Sequence, residues 1–231
     1  MRFASHLLAS ILIVGAGMAT PGAIAQIVDE PAVRAYREGD FETAYRLWRA
    51  AAEQGVAIAE HNVGVMFQKG EFVTRDYAEA YRWHRRAAGR GHAPAQHRRG
   101  VLFQEGWGVA RDPVEAAAWF VRAAEQGYAR AQNNLGVVYE AGQGVPRDLM
   151  RAHFWLTLAA RNAAPGVEQF ASAKNRDAIG RRLTTAELAE SRRLAATWRP
   201  VGAGFGAGAP PAARPAAKAN ATAARAETVL P

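Results

Sequence analysis

The sequence predicts an all-α fold, an α/α superhelical solenoid of about three full repeats with an N-terminal half-repeat and a C-terminal helical cap. Three observations lead to this prediction. Blocks 51–86, 87–122 and 123–158 align at a spacing of 36 residues without gaps. Apolar residues recur within each block at helical spacing, and an Asp precedes the second half of each block. Self-similarity at such a period is typical of helical solenoids.

Columns of matched residues define the register of the blocks. The clearest columns are Gly64, Gly100, Gly136; Gly70, Gly106, Gly142; Asp76, Asp112, Asp148; and Trp83, Trp119, Trp155. Upstream, residues 40–47 match the start of the second half of a block, which predicts the N-terminal half-repeat.

Each block is predicted to form two helices. The first runs over about residues 57–69 and ends at Gly70, because Gly adopts the left-handed C′ conformation at little cost. The second begins after Asp76, whose side chain can accept hydrogen bonds from free backbone N–H groups, with Glu79 at the capping-box position. One such helix pair cannot bury its own apolar face, so the pairs must stack.

The segment 135–148 carries the pattern Leu-Gly-x-x-Tyr-x-x-Gly-x-Gly-Val-x-x-Asp. This pattern resembles the Sel-one-like repeat, a tetratricopeptide-related unit, and the resemblance extends over roughly residues 40–165. Residues 175–200 are similar to the C-terminal cap of many proteobacterial members, which suggests the exported proteobacterial type. The resemblance implies a scaffold for protein complexes. Two positions depart from the pattern: Arg99 precedes Gly100, and Phe72 replaces the second loop Gly of the first block.

The two ends of the chain differ from the repeats. Residues 1–25 have a basic start, an apolar stretch and Ala23-Ile24-Ala25, which together predict a signal peptide cleaved before Gln26. Export without Cys favours a periplasmic or secreted protein with no transmembrane segment after cleavage. Residues 26–199 form the predicted solenoid and cap. Residues 200–231 are rich in Ala, Pro and Gly and are predicted to be a disordered tail.

The composition excludes several chemistries. With no Cys, the chain cannot form disulfides, thiolate nucleophiles or Cys-type zinc sites. No zinc, nucleophile-elbow or phosphate-loop motif is present, so we expect no enzyme, cofactor or metal, and a hydrolase is a remote alternative.

The predicted fold favours a partner-binding surface over an active site. In tetratricopeptide-like stacks the first helices line the concave face, where a protein or peptide partner can dock. By that analogy, the predicted partner-binding residues are His61, Val65, Gln68, His97, Val101, Gln104, Asn133, Val137 and Glu140. The Val column could instead belong to the core, and the His column could be ordinary polar surface.

A basic cluster offers a second surface. The formal net charge is +8, and a predicted basic patch comprises Arg82, Arg85, Arg86, Arg90, Arg98 and Arg99. Such a patch can bind an acidic partner or an anionic envelope component, or it can be a solvated face. Export makes nucleic acid an unlikely partner. The salt dependence of binding distinguishes the two surfaces. Screening by salt weakens the binding of an anionic polymer to the arginines far more than the binding of a peptide to the valines.

Overall fold

The computed structural model describes residues 30–201 of the 231-residue chain, and every regular element in that range is a helix. The chain divides into two compact units, unit 1 (Met1–Arg111) and unit 2 (Asp112–Pro231). The predicted signal peptide, residues 1–25, lies outside the described residues, and so does the predicted tail from residue 202 onward.

Unit 1 consists of helices that pack in sequential order. They are α1 (residues 30–37), α2 (Phe41–Glu53), α3 (Ala57–Lys69), α4 (Tyr77–Gly89) and α5 (Ala93–Glu105). From α2 onward each helix packs on the next along the chain. Trp48, Val63, Met66 and Trp83 form a common core with the small alanines of α1 to α3. These helices are therefore the stacked pairs that the block spacing predicts.

Unit 2 continues the helical pairs and adds the cap. Its helices are α6 (Pro113–Glu125), α7 (Ala129–Ala141), α8 (Leu149–Asn162), α9 (Val167–Gly180) and α10 (Thr185–Thr197). Both cap helices, α9 and α10, pack on α8. Ile179 of α9 and Trp198, directly after α10, are fully buried, so the cap closes the apolar face of the last repeat. Pro200 contacts Gly127, and the Val201 N–H donates to the Glu125 carbonyl at 2.8 Å, so the first two residues of the predicted tail are packed in unit 2.

The predicted Asp caps are present. Asp76 Oδ1 accepts hydrogen bonds from the N–H groups of Ala78 and Glu79 at 2.8 and 3.0 Å. Asp112 caps α6 in the same way, and Asp148 caps α8. The Glu79 carboxylate does not complete a capping box and instead pairs with Arg82. A full capping box occurs at Thr184 and Glu187, at the start of α10.

The Trp column is not uniform. Trp83 and Trp155 are buried, but Trp119 is only half-buried and lies under Arg122, with 4.2 Å from the guanidinium carbon to the ring centre. The adjacent Phe120 is fully buried and occupies the core in this block. Phe120 shares its column with His84 and Leu156, which are also fully buried, so the residue after the Trp is a core position in all three blocks.

Glycines on the first helices allow close contact with the second helices. A Cβ added at Gly64 would lie 2.7 Å from His84 Cε1, and one added at Gly136 would lie 2.6 Å from Leu156 Cγ. The ring of His84 and the side chain of Leu156 therefore occupy the space that a larger residue would fill. Glycine at these positions therefore permits the close packing of the first helix on the second.

Phe72, which replaces a loop Gly, keeps the backbone conformation of that Gly. Its φ is +65°, close to the +68° of Gly108 and the +74° of Gly144 in the matching loops. A bulky residue at positive φ is strained. The Phe72 ring is 53% exposed and lies 5.5 Å from the Tyr45 ring, a contact that partly offsets this strain.

Gly108→Ala is expected to destabilise the protein more than Gly91→Ala, although both glycines have positive φ. A Cβ at Gly91 would meet nothing within 4 Å, so this change costs about 1 kcal/mol from backbone strain. A Cβ at Gly108 would lie 2.3 Å from the Tyr77 carbonyl oxygen, which adds overpacking and brings the cost to about 2–4 kcal/mol. Urea unfolding of both variants measures the difference, and equal losses would contradict the tight loop contact.

Candidate partner-binding site

The first helices of unit 1 present a mixed apolar and amide surface. Val65 and Gln68 on α3 and Val101 and Gln104 on α5 occupy matching positions, and all four side chains are partly exposed. Val137, at the same position on α7 of unit 2, is 41% exposed. The valines are therefore accessible to a partner and do not form the deep core.

The structure corrects the expectation for His61 and His97. Both were predicted on a polar partner-binding surface, but His97 is only 6% exposed and His61 packs against two further histidines. The rings of His84 on α4 and His92 before α5 each lie 5.1 Å from the His61 ring. His61, His84, His92 and His97 are called the histidine cluster below. The His84 ring fills the space beside Gly64, and the His61 ring packs against it and therefore does not stand on an open polar surface.

In unit 2 the C-terminal cap occupies the matching surface. The Ser172 hydroxyl of α9 donates to Asn133 Oδ1 at 3.1 Å, and Arg182 pairs with Glu140. Both Asn133 and Glu140 were predicted to contact a partner. They are instead engaged by the chain itself, because α9 packs on α8 and its Ser172 side chain reaches α7. The cap thus engages the polar positions of this face in unit 2 and leaves Val137 exposed.

Two arginines of the predicted basic patch hold a buried carboxylate. Glu60 on α3 is fully buried, and its oxygens lie 3.0 Å from Arg86 Nε and 3.3 Å from Arg90 Nε. Arg86 Nη2 also donates to the Ala52 carbonyl at 3.0 Å, and the Arg86 guanidinium lies over the Trp83 ring. These arginines therefore serve the fold of unit 1, although both side chains remain about half-exposed.

The remaining members of the basic patch differ in their surroundings. Arg82 pairs with Glu79, and Arg99 lies over the Tyr81 ring and donates to the Tyr81 hydroxyl at 3.3 Å. Arg99 thus extends along an aromatic surface from a column that is otherwise apolar. Arg85 is exposed, whereas Arg98 is half-buried near the histidine cluster. The six arginines are therefore not one uniform solvated patch.

A column of buried polar side chains was missed by the sequence reasoning. Glu60, Gln96 and Gln132 are 36 residues apart and all are buried. The amides of Gln96 and Gln132 donate to the carbonyls of Ala88 and Ala124, each eight residues upstream. In the first block, Glu60 cannot donate such a bond, and Arg86 donates to the equivalent carbonyl, that of Ala52. The 36-residue register of these polar residues was the signal that could have revealed the column.

A pocket lies between α8 and α9 of unit 2. Its lining comprises Thr157, Ala160, Arg161, Gln169, Phe170, Ala173 and Arg176. Arg161 donates to the Ala195 carbonyl, and Arg176 pairs with Asp177. The lining holds no imidazole or carboxylate that could act as a general base beside the Thr157 hydroxyl.

Among residues 30–201, no helix has both the length and the apolar character needed to cross a bilayer. Within the same range, no group of three or more His, Asp or Glu side chains has a geometry that could hold a metal ion.

Paired helices, with first helices that end at a glycine, define an α/α repeat protein. The Sel1 repeat model matches residues 35–56, 57–92, 93–128 and 129–163, which is more than half of the chain. The chain therefore belongs to the Sel1 repeat family. The four matches correspond to the predicted half-repeat and three full repeats, so the predicted solenoid class is confirmed. Sel1 repeat proteins generally act as protein–protein interaction scaffolds.

Solved structures agree with this assignment. A Sel1 repeat protein from Oxalobacter formigenes is 28% identical, with a TM-score of 0.59 over 84% of this chain and 79% of that one. A protective antigen present in uropathogenic Escherichia coli strains, which displays an SLR fold, is 23% identical, with a TM-score of 0.50 over 77% of this chain and 48% of that one. The second likeness shows the fold alone. No functionally curated protein matches the chain significantly.

Proposed function

We propose that this protein is a non-enzymatic scaffold that binds a partner protein or peptide on the first-helix face of unit 1. The observation that carries the proposal is the matched pair of partly exposed valines, Val65 and Val101, each followed three residues later by a glutamine. The general role of the Sel1 repeat family supports the same class of function.

The chemistry of this face suits an apolar helix or an extended peptide. Val65 and Val101 are stiff side chains that lose little rotamer freedom when a partner covers them. The side-chain amides of Gln68 and Gln104 can form hydrogen bonds with polar groups of the partner, which the valines cannot do. A few such anchors carry most of the binding energy in protein interfaces, so a small face is sufficient.

We further propose that the scaffold acts in the bacterial periplasm. The proposal rests on the pattern of residues 1–25 and on the absence of Cys from the sequence. N-terminal sequencing of the protein purified from its own host is expected to begin at Gln26. A chain that still begins at Met1 would overturn the proposed export.

Photocrosslinking in the host tests the docking face against the basic alternative. A photoreactive phenylalanine analogue replaces Val101 in one full-length variant and the exposed Arg85 in a matched variant of the same unit. Circular dichroism of each purified variant verifies that both remain folded.

We expect a discrete crosslinked species with one partner protein from position 101, and at most weak crosslinking from position 85. The yield should change little between low and high salt, because apolar contacts are only weakly screened. A crosslink from position 85 alone that weakens with salt would overturn the proposal in favour of an anionic envelope component.

A further inference from the structure

The histidine cluster gathers titratable groups from three consecutive elements of unit 1. His61 belongs to α3, His84 to α4, and His92 and His97 to the start of α5. His84 is fully buried, and the His84 and His92 rings each lie 5.1 Å from the His61 ring. The cluster therefore lies where these three helices meet.

The cluster is built for neutral imidazoles. The Nδ1 atoms of His61, His84 and His92 are buried with no hydrogen-bond partner among the described residues. His84 Nε2 lies 3.2 Å from Gln68 Oε1 and donates to it. An imidazolium carries two N–H donors, so protonation of each ring would leave a buried donor without an acceptor.

The charged groups around the cluster also oppose protonation. From α5, Arg98 acts on both His61 and His84. The imidazoles of His92 and His97 also act on both, and His61 acts on His84. On α3, the Glu60 carboxylate beside His61 in sequence is engaged by Arg86 and Arg90 of the α4 end. On α4, Arg82 pairs with Glu79, and Arg85 is exposed. Positive charge in the cluster thus faces an arginine and other imidazoles.

We infer that the histidine cluster is a proton-triggered switch, in which acidification loosens the packing of α3, α4 and α5 in unit 1. Unit 2 contains a single histidine, His153, whose Nδ1 lies 2.8 Å from the Ser191 hydroxyl, so it lacks such a cluster. The loosening is a property of the fold and does not depend on the proposed function. Release of the partner from Val65 and Val101 in acid is a further consequence that rests on the proposed function.

The direction of the pH dependence follows from linkage. Burial, followed by the neighbouring cations, lowers the pKa of His61 to about 3 and lowers the pKa of His84 well below its ordinary value. Burial also lowers the pKa of His92. An unfolded histidine has a pKa of about 6.5, so the stability from these neutral rings is complete above that pH and is lost as the pH falls below it. Each histidine can raise the opening equilibrium up to about tenfold per pH unit in that range.

The chain itself offers matched substitutions. In unit 2, the positions of His61 and His84 are occupied by Asn133 and Leu156, and Leu156 packs on Gly136 as His84 packs on Gly64. The double variant His61→Asn/His84→Leu therefore copies a packing arrangement that this fold already contains. It removes two titrating groups and leaves the surrounding helices in place.

Hydrogen–deuterium exchange of the full chain between pH 7.5 and 4.5, corrected for intrinsic exchange rates, tests the switch. We expect protection of α3 to α5 to fall steeply below about pH 6.5 relative to α7, which contains no histidine and serves as the internal reference. The double variant should be protected at pH 7.5 and show up to about a hundredfold smaller change per pH unit. Equal pH dependence in both units of the natural chain would overturn the switch, as would an unchanged slope in the variant. If the double variant fails to fold, His84→Leu alone is measured, with up to about a tenfold smaller change expected.

Discussion

Trp155→Ala is expected to lower the free energy of unfolding by about 3–5 kcal/mol, the usual cost of removing a buried large aromatic. Trp155 is buried on α8, the helix on which α7, α9 and α10 all pack. Its ring lies 4.9 Å from the Phe154 ring and 6.3 Å from the Trp198 ring, both in edge-to-face geometry. Truncation therefore opens a cavity where the last repeat meets the cap, and these neighbours cannot readily fill it.

Trp119→Ala is the matched control from the same column. Because Trp119 is half-buried under Arg122, its removal should cost only about 1–2 kcal/mol. Chemical denaturation of both variants, followed by circular dichroism, gives the two values. Equal destabilisation, or a greater loss from Trp119, would show that the burial assigned to this column is wrong.

Glu60→Ala is expected to destabilise the protein by about 2–4 kcal/mol, whereas Glu60→Gln should cost less than about 1 kcal/mol. Removing the buried carboxylate leaves Arg86 and Arg90 without their partner and opens a cavity. The cost is below that of a wholly buried pair, because both arginines are about half-exposed and can become hydrated. Glutamine is tolerated because Gln96 and Gln132 already fill this column and donate to the carbonyl eight residues upstream.

The control for the Glu60 series is Glu79→Gln, which breaks a partly exposed pair with Arg82 and should cost less than about 0.5 kcal/mol beyond any change in helix dipole interaction. Urea denaturation of the three variants provides the comparison. If Glu60→Gln is as damaging as Glu60→Ala, the position requires a negative charge and the equivalence of the three repeats at this column is incorrect.

The helices could be predicted from the sequence because their determinants are local. Asp76 caps α4 through two hydrogen bonds to adjacent backbone N–H groups, and Gly70 ends α3 at a φ of +76°. Both interactions depend only on residues a few positions apart, and the 36-residue register repeats them. The stacking order then follows from the apolar faces that each helix pair leaves open.

The candidate site was less predictable because it depends on contacts between helices. The histidine cluster joins residues from three elements, and only His61 and His97 share a column in the register. Arg86 and Arg90 were assigned to a basic surface patch because nothing local shows that Glu60 is buried between them. Coverage of Asn133 by Ser172 likewise depends on where α9 packs, which the periodicity does not specify.

The affinity of the crosslinked partner for three forms of the full chain tests the docking face most directly. Isothermal titration calorimetry compares the natural chain, the double variant Val65→Asp/Val101→Asp and the double variant Arg82→Gln/Arg85→Gln. The proposed face predicts a dissociation constant at least about tenfold weaker for the valine variant, equivalent to about 1.4 kcal/mol, and little change for the arginine variant. Unchanged affinity in a folded valine variant would contradict the central claim.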